Sequence, residues 1–227
     1  QFFAYQRRIQ QSGKAGGRPR NDAYWAYEES KLFKTVHVNA GINFKAYDDI
    51  PVDRKGGQGS EEPMDTFQEF CEKHQPPQEL VDNIERCGYS VPTPVQKHSV
   101  PAAINGTDVM VSAQTGSGKT AAFLVPLISC ALSRGARRPE EGPAKPTAVI
   151  MSPTRELCQQ ITMEARRLCF RSECRVCSIY GGADAPPQLQ SMAEGCDIAI
   201  CTPGRLDDFL TRGVISMKDV KYLVLDE

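Results

Sequence analysis

The stretch "DVMVSAQTGSGKT", residues 108–120, constrains the fold more than any other. An apolar run of strand length stops at Ala113, Gly116 and Gly118 permit a tight turn, and the helical run "KTAAFLVPLISCALSR" begins at Lys119. Downstream the alternation continues. The apolar segments "TAVIMS", "RVCSIY", "DIAIC" and "YLVLDE" are separated by the helical segments "TRELCQQITMEARRL", "PQLQSMAEG" and "GRLDDFLTRG". Five short apolar strands alternating with helices predict an α/β fold, a doubly wound parallel sheet with helices on both faces. Two further helices are expected upstream. "PQELVDNIERCG" places Leu80, Val81, Ile84 and Cys87 on one face with Gly88 as a stop, and "TPVQKHSVPAAING" offers Thr93 as N-cap and Pro94 at the first helical position.

The glycine turn also carries chemistry. Its two glycines let backbone N–H groups point at phosphate oxygens, Lys119 is placed to reach the terminal phosphates, and Thr120 offers a hydroxyl to Mg2+. The formal P-loop pattern has glycine at its first position and this chain has Ala113, so the strand–turn–helix context carries the assignment. A counterpart stands at "KYLVLDE", residues 221–227. In P-loop NTPases an aspartate at the end of an apolar strand shares the metal with the loop hydroxyl, which gives Asp226 that role. Glu227 is then placed to orient or deprotonate the attacking water. A chain that stops on these two acids reads as one cut through a site.

Composition bounds what surrounds this site. With 40% hydrophobic and 24% charged residues, the 227-residue chain suits one folded domain and a tail. A net charge of -1 supplies no global field for nucleic acid, so such a partner needs a local patch. Residues 1–34 are one candidate: seven basic residues oppose three acidic ones, interleaved with Phe2, Phe3, Tyr5, Tyr24, Trp25 and Tyr27. Charge plus stacking suits single-stranded RNA, although a disordered arm or a helix docked on a partner explains the same pattern. Residues 39–65 read as linker, giving a flexible extension over 1–65 and a domain over 66–227. Nine cysteines include a single C-x-x-C, Cys174 and Cys177, without the second pair or paired histidines that zinc needs, and are expected as buried thiols of a reducing compartment. The longest apolar run, "AAFLVPLISCAL", is too short for a bilayer and contains Pro126, so no membrane partner is expected.

The ordered set "AQTGSGKT", "PTREL" (153–157), "GG" (181–182), "TPGR" (202–205) and "VLDE" (224–227) resembles the first RecA-like domain of DEAD-box RNA helicases. "GYSVPTPVQ", residues 88–96, resembles the family's adenine-recognition element, and "GINFKAYDDIPV", residues 41–52, the segment ahead of the core in its Belle/Vasa-like subfamily. The resemblance implies a RecA-like P-loop domain behind a largely irregular N-terminal extension. It implies ATP held by Tyr89, Gln96, Ala113, Gln114, Thr115, Gly116, Ser117, Gly118, Lys119 and Thr120, with Gln96 selecting adenine because an amide donates and accepts at once. The spacing between "TFQEF" and "GY" differs from the family's, which leaves Phe67 and Phe70 both open as the ring that stacks on the base. Lys119, Asp226 and Glu227 take the catalytic roles, and Thr120 and Asp226 hold Mg2+.

The same resemblance implies sequence-independent RNA backbone contacts from Pro153, Thr154, Arg155, Gly182, Thr202, Gly204 and Arg205. "PTRE" is also a generic helix cap, and Arg205 has Asp207 and Asp208 nearby as simple ion-pair partners. The implied activity is ATP-dependent RNA unwinding or RNP remodelling, with the chain ending at its acidic motif and inactive alone. Translation-initiation or mRNP partners and a cytoplasmic location, with the nucleus and RNP granules as further sites, follow from the subfamily likeness. Two other classes stay open: a non-catalytic module that holds RNA or a translation factor, and a P-loop NTPase that does not act on RNA.

Overall fold

The computed structural model describes residues 1–12, 20–34, 51–57, 62–135 and 141–227. Most of the subfamily-like segment, residues 41–50, lies outside them. The parallel sheet is built from β1 (Ala148–Met151), β2 (Val176–Ile179), β3 (Ile198–Cys201) and β4 (Tyr222–Leu225), in the order β2-β3-β1-β4. Register runs Val149 to Ala199 on one side of β1 and Val149 to Leu223 on the other. Because side chains alternate along each strand, the sheet has two cores. Ala148, Ile150, Ile198 and Ile200 face one, with α3 (Phe67–His74), α4 (Gln78–Arg86), α5 (Pro94–Ile104), α6 (Lys119–Ser133) and α7 (Arg155–Leu168). Val149, Ala199 and Cys201 face the other, with α8 (Ala185–Ala193) and α9 (Pro203–Thr211). The expected doubly wound α/β architecture is what forms.

One expected strand does not. Residues 108–113 have no ladder partner among the described residues, and Met110 is 98% exposed. β-structure is set by cross-strand pairing, and an apolar run without a neighbouring edge has nothing to pair with. β4 shares this exposure: Tyr222 and Val224 pack inward while Leu225 is 72% exposed.

The helices start and stop as their sequences dictate. Thr93 caps α5 through a capping box with Gln96, and Pro94 holds the first turn. Gly88 takes a φ of +73° after α4. Asn83, on the apolar side of α4, is buried and donates its Nδ2 to the carbonyls of Leu168 (3.0 Å) and Phe170 (2.7 Å), capping the end of α7.

The extension holds two helices, α1 (Phe2–Gln11) and α2 (Asp22–Leu32), that pack on the domain's own surface. Phe2 is buried in the second core and Gln6 donates Nε2 to the Gly142 carbonyl at 2.9 Å. Trp25 meets the Phe170 ring edge-on at 5.3 Å, Glu28 pairs with Arg166, and Arg167 Nε donates to the Leu32 carbonyl at 2.8 Å. Phe2 and Trp25, offered by the sequence as stacking surface, are thus partly spent on packing. Cys174 and Cys177 belong to opposite cores, and all nine cysteines are free. Among the described residues no helix is long and apolar enough to cross a membrane.

Candidate nucleotide and nucleic-acid site

The loop before α6 has the shape its glycines allow. Gly116 and Gly118 adopt φ of +80° and +86°, a region that β-carbon-bearing residues avoid. Lys119 opens α6 and folds its Nζ back across the loop, donating to the carbonyls of Ala113 at 2.6 Å and Gln114 at 3.3 Å. Those carbonyls occupy the ammonium where a phosphate would otherwise sit. Gln114, Thr115 and Gly116 are exposed, and Thr120 is half-buried on the first turn.

The adenine-recognition helix is stitched to this loop. Thr93 Oγ1 donates to the Ser117 carbonyl at 2.7 Å and Gln96 Nε2 donates to the Gly118 carbonyl at 3.2 Å. Gln96 Oε1 meanwhile accepts from the Thr93 N–H at 3.0 Å. Each amide end has one bond committed, and a primary amide keeps one N–H and one lone pair for a ligand. Gln96 is therefore both a base-reading group and a strut of the P-loop. Sequence reasoning had Thr93 as a cap only; nothing in the local pattern reveals its second bond to Ser117, 24 residues away. The Ser117 hydroxyl is buried without a partner.

The aromatic candidates sit elsewhere. Phe67 and Phe70 are each 1% exposed, so neither ring offers a face to a base. Tyr89 stacks at 5.5 Å on Phe67 and bonds Glu164 through its hydroxyl, and burial followed by the Glu164 charge pushes its phenol upward. These three residues build the core beside α5 rather than a base platform.

Asp226 follows β4, and its N–H donates to the Met151 carbonyl at 2.9 Å, extending the ladder with β1. Burial and then the adjacent Glu227 raise its carboxyl, while the Lys119 charge opposes the shift. Loop lysine and strand-end acid thus share one electrostatic environment. A hydroxyl and a carboxylate are the hard oxygen donors that Mg2+ takes, so Thr120 and Asp226 fit that ion.

The second set of candidates gathers on the loops after β1, β2 and β3, at the carboxyl ends of parallel strands. Pro153, Thr154 and Arg155 follow β1; Gly182 follows β2; Thr202, Gly204 and Arg205 follow β3. Thr154 caps α7 by accepting from the Leu157 N–H at 3.2 Å, as its generic role predicts. Arg155 does more, donating to the Gly182 carbonyl at 3.0 Å with its guanidinium 5.1 Å from the centre of the Tyr180 ring. Thr202 Oγ1 accepts from the Gly181 N–H at 3.3 Å, and Arg205 donates Nη2 to the Ala183 carbonyl at 3.2 Å. Arg205 Nη1 is buried with no partner, and Asp208 pairs with Arg212 instead. Tyr180, whose hydroxyl accepts from Gln159 Nε2 at 3.0 Å, is a positioning residue that sequence reasoning missed. Its only signal was adjacency to the two glycines.

A P-loop opening a helix, an acid at the end of a parallel strand and a doubly wound sheet define a P-loop nucleoside-triphosphatase domain. The model of the DEAD/DEAH box helicase family matches residues 93–227, more than half of the chain, and the chain belongs to that family. Among solved structures it is similar to the RNA helicase Prp28 from Chaetomium thermophilum bound to ADP, with 31% identity and a TM-score of 0.67 over 91% of this chain and 44% of that one. The yeast DEAD-box splicing factor Prp28 matches at 32% identity and a TM-score of 0.66, over the same shares. A hypothetical ATP-dependent RNA helicase from Sulfolobus tokodaii matches at 29% identity and a TM-score of 0.58, over 66% of this chain and 41% of that one. The chain thus spans less than half the length of these proteins.

Proposed function

We propose that this chain supplies the ATP-binding half of an ATP-dependent RNA helicase, acting by duplex unwinding or RNP remodelling. The observation that carries this is the placement of both candidate sites at one end of one sheet. Asp226 is hydrogen-bonded to the carbonyl of Met151, the last residue of β1, and the Pro153–Arg155 turn follows two residues later. ATP bound at the loop would have its phosphates met by the backbone N–H groups and Lys119, its base read by Gln96, and Mg2+ held by Thr120 and Asp226. The ion supplies charge neutralisation between the terminal phosphates. Glu227 would hold the attacking water. Lys119 must leave the Ala113 and Gln114 carbonyls to engage phosphate, so loop opening accompanies binding.

RNA would lie on the loops after β1 to β3, where Arg155, Arg205 and exposed N–H groups meet phosphates without reading bases. The segment "GINFKAYDDIPV" supports a Belle/Vasa-like subfamily, and with it cytoplasmic work in translation initiation or in RNP granules with partners on the extension. Similarity to a splicing factor over 91% of the chain supports a second reading, nuclear RNP remodelling. The test is ATP hydrolysis with and without single-stranded RNA, on this chain and on a polypeptide of the relatives' length that contains it, each beside Lys119→Ala. RNA stimulation of the longer polypeptide that the variant loses is expected; RNA-independent hydrolysis would refute the RNA role.

A further inference from the structure

Where α2 lies against the domain it does not close flush. Between it and the surface formed by α7, β2 and α8 is a polar cavity of about 250 Å3, far from the P-loop in the chain and sharing none of its residues. Three guanidinium groups from three separate segments reach it: Arg20 ahead of α2, Arg166 on α7, and Arg175 at the start of β2. Hydroxyls of Tyr24, Thr162 and Ser191 complete the donor set.

The charges do not cancel within the cavity. Glu28 is buried and tied to Arg166, which leaves Glu194 opposite two further arginines. Arg20 is held by carbonyls, donating to Ser172 at 2.7 Å and Cys174 at 3.3 Å, and a carbonyl satisfies an N–H without neutralising its charge. Burial first, and then the Arg20 charge, lower the Arg175 guanidinium from its usual value. A polar cavity of this size is filled in water, and an anion relieves the repulsion that water leaves. Forked donors arriving from several directions, together with hydroxyls, match the tetrahedral oxygens of phosphate better than the two oxygens of a carboxylate.

We propose that the cavity beneath α2 is a phosphate site, bound by Arg20 and Arg175 with Arg166 at its wall, and that its occupation fastens α2 to the domain. The phosphate is orthophosphate or the head group of a phosphomonoester. A shallower groove of about 290 Å3 continues outward past Arg20, Tyr24 and Arg175 along Pro187 and Gln190 of α8, and gives an ester substituent a path to solvent.

Trp25 lines the cavity and is the only tryptophan in the chain, so its emission reads the site directly. Orthophosphate, O-phosphoserine and chloride are titrated at constant ionic strength into the whole chain carrying Lys119→Ala, which removes the P-loop lysine as a competing phosphate ligand. A saturable change in Trp25 emission is expected with orthophosphate or O-phosphoserine and not with chloride, with thermal melting raised at saturation. Binding of both phosphates assigns the outer groove to the ester group, and binding of orthophosphate alone assigns the site to the free ion. Arg20→Gln and Arg175→Gln, each added to that background, should weaken binding about tenfold or more, the loss expected for one charge-assisted bond. Arg20 lies outside the domain core, so the Arg20→Gln variant reports even where Arg175→Gln fails to fold. A response to phosphate no different from that to chloride, or one that Arg20→Gln leaves intact, would overturn the proposal.

Discussion

Gly118→Ala tests the link between base reading and the P-loop. An added β-carbon would stand 2.5 Å from Gln96 Nε2 and 2.9 Å from Thr93 Oγ1, on a backbone with φ of +86°. The left-handed conformation alone costs about 1–2 kcal/mol for a residue with a β-carbon. Gln96 and Thr93 are 3% and 2% exposed, so their side chains have no free space into which to retreat. Displacing them breaks the capping box, worth about 1 kcal/mol, and the Gln96-to-Gly118 bond, worth about another 1 kcal/mol. The total is about 3–4 kcal/mol. Gly116→Ala is the control, because it has nearly the same φ, +80°, and nothing within 4 Å of the new carbon. It should lose only the backbone cost, about 1–2 kcal/mol. Urea unfolding of both variants with unchanged slope measures the difference, expected at about 2 kcal/mol. Nucleotide titration should show Gly118→Ala losing its preference for ATP over GTP as Gln96 moves. Equal destabilisation of the two variants, within about 0.5 kcal/mol, would refute the reasoning.

Three other outcomes follow from named contacts. Lys119→Ala should abolish nucleotide binding while leaving thermal melting nearly unchanged, since Nζ bonds only loop carbonyls; fluorescent-nucleotide titration and a melt of the same sample check both halves. Asp226 has its carboxyl raised by burial and by Glu227, so its ionised form is disfavoured in the folded chain at pH above the raised value, and that penalty disappears as pH falls below the ordinary carboxylate range. Asp226→Asn should therefore melt higher than the parent at pH 7 without magnesium, with the gap closing toward pH 4. Asn83→Ala removes two buried bonds to the end of α7 and should cost about 1–3 kcal/mol in urea unfolding, more than a surface Asn→Ala change.

Most of the architecture was legible because it rests on local signals. The helix that begins at Lys119, the capping box at Thr93 and the apolar segments of β1 to β4 each carry their pattern within a dozen residues. What failed to form depended on pairing instead: residues 108–113 have strand composition, and composition does not create an edge to pair with. Helices α1 and α2 escaped notice for a related reason. Their aromatic and basic residues fit either stacking on RNA or packing on protein, and only the position of Phe170 and Arg166 in the fold decides for Trp25 and Glu28. The motif residues of the candidate site could be named in advance, but the bonds that hold them could not. Thr93 to Ser117, Arg155 to Gly182 and Arg205 to Ala183 span 22 to 27 positions in the chain.

Strand order adds a step that neither motif contains. β1 is flanked by β3 and β4, so the Met151 carbonyl holds Asp226 while the next residue, Ser152, donates its N–H to the Cys201 carbonyl at 2.9 Å. Thr202 follows Cys201 and donates its own N–H to the Ile179 carbonyl at 2.9 Å, next to the Tyr180–Gly182 turn that seats Arg155. A displacement of the metal-side acid is therefore passed to the arginine loops through three successive ladder bonds of a rigid sheet, without a moving hinge between them. Coupling of this kind is reciprocal: whatever phosphate and metal do to the position of Asp226, ligands on Arg155 and Arg205 do in return to the nucleotide. In the Gly118→Ala variant the same logic separates two routes. Its defect lies between Gln96 and the P-loop, on the far side of Asp226 from this ladder, so nucleotide selection should change while the geometry around Tyr180 and Arg155 is kept.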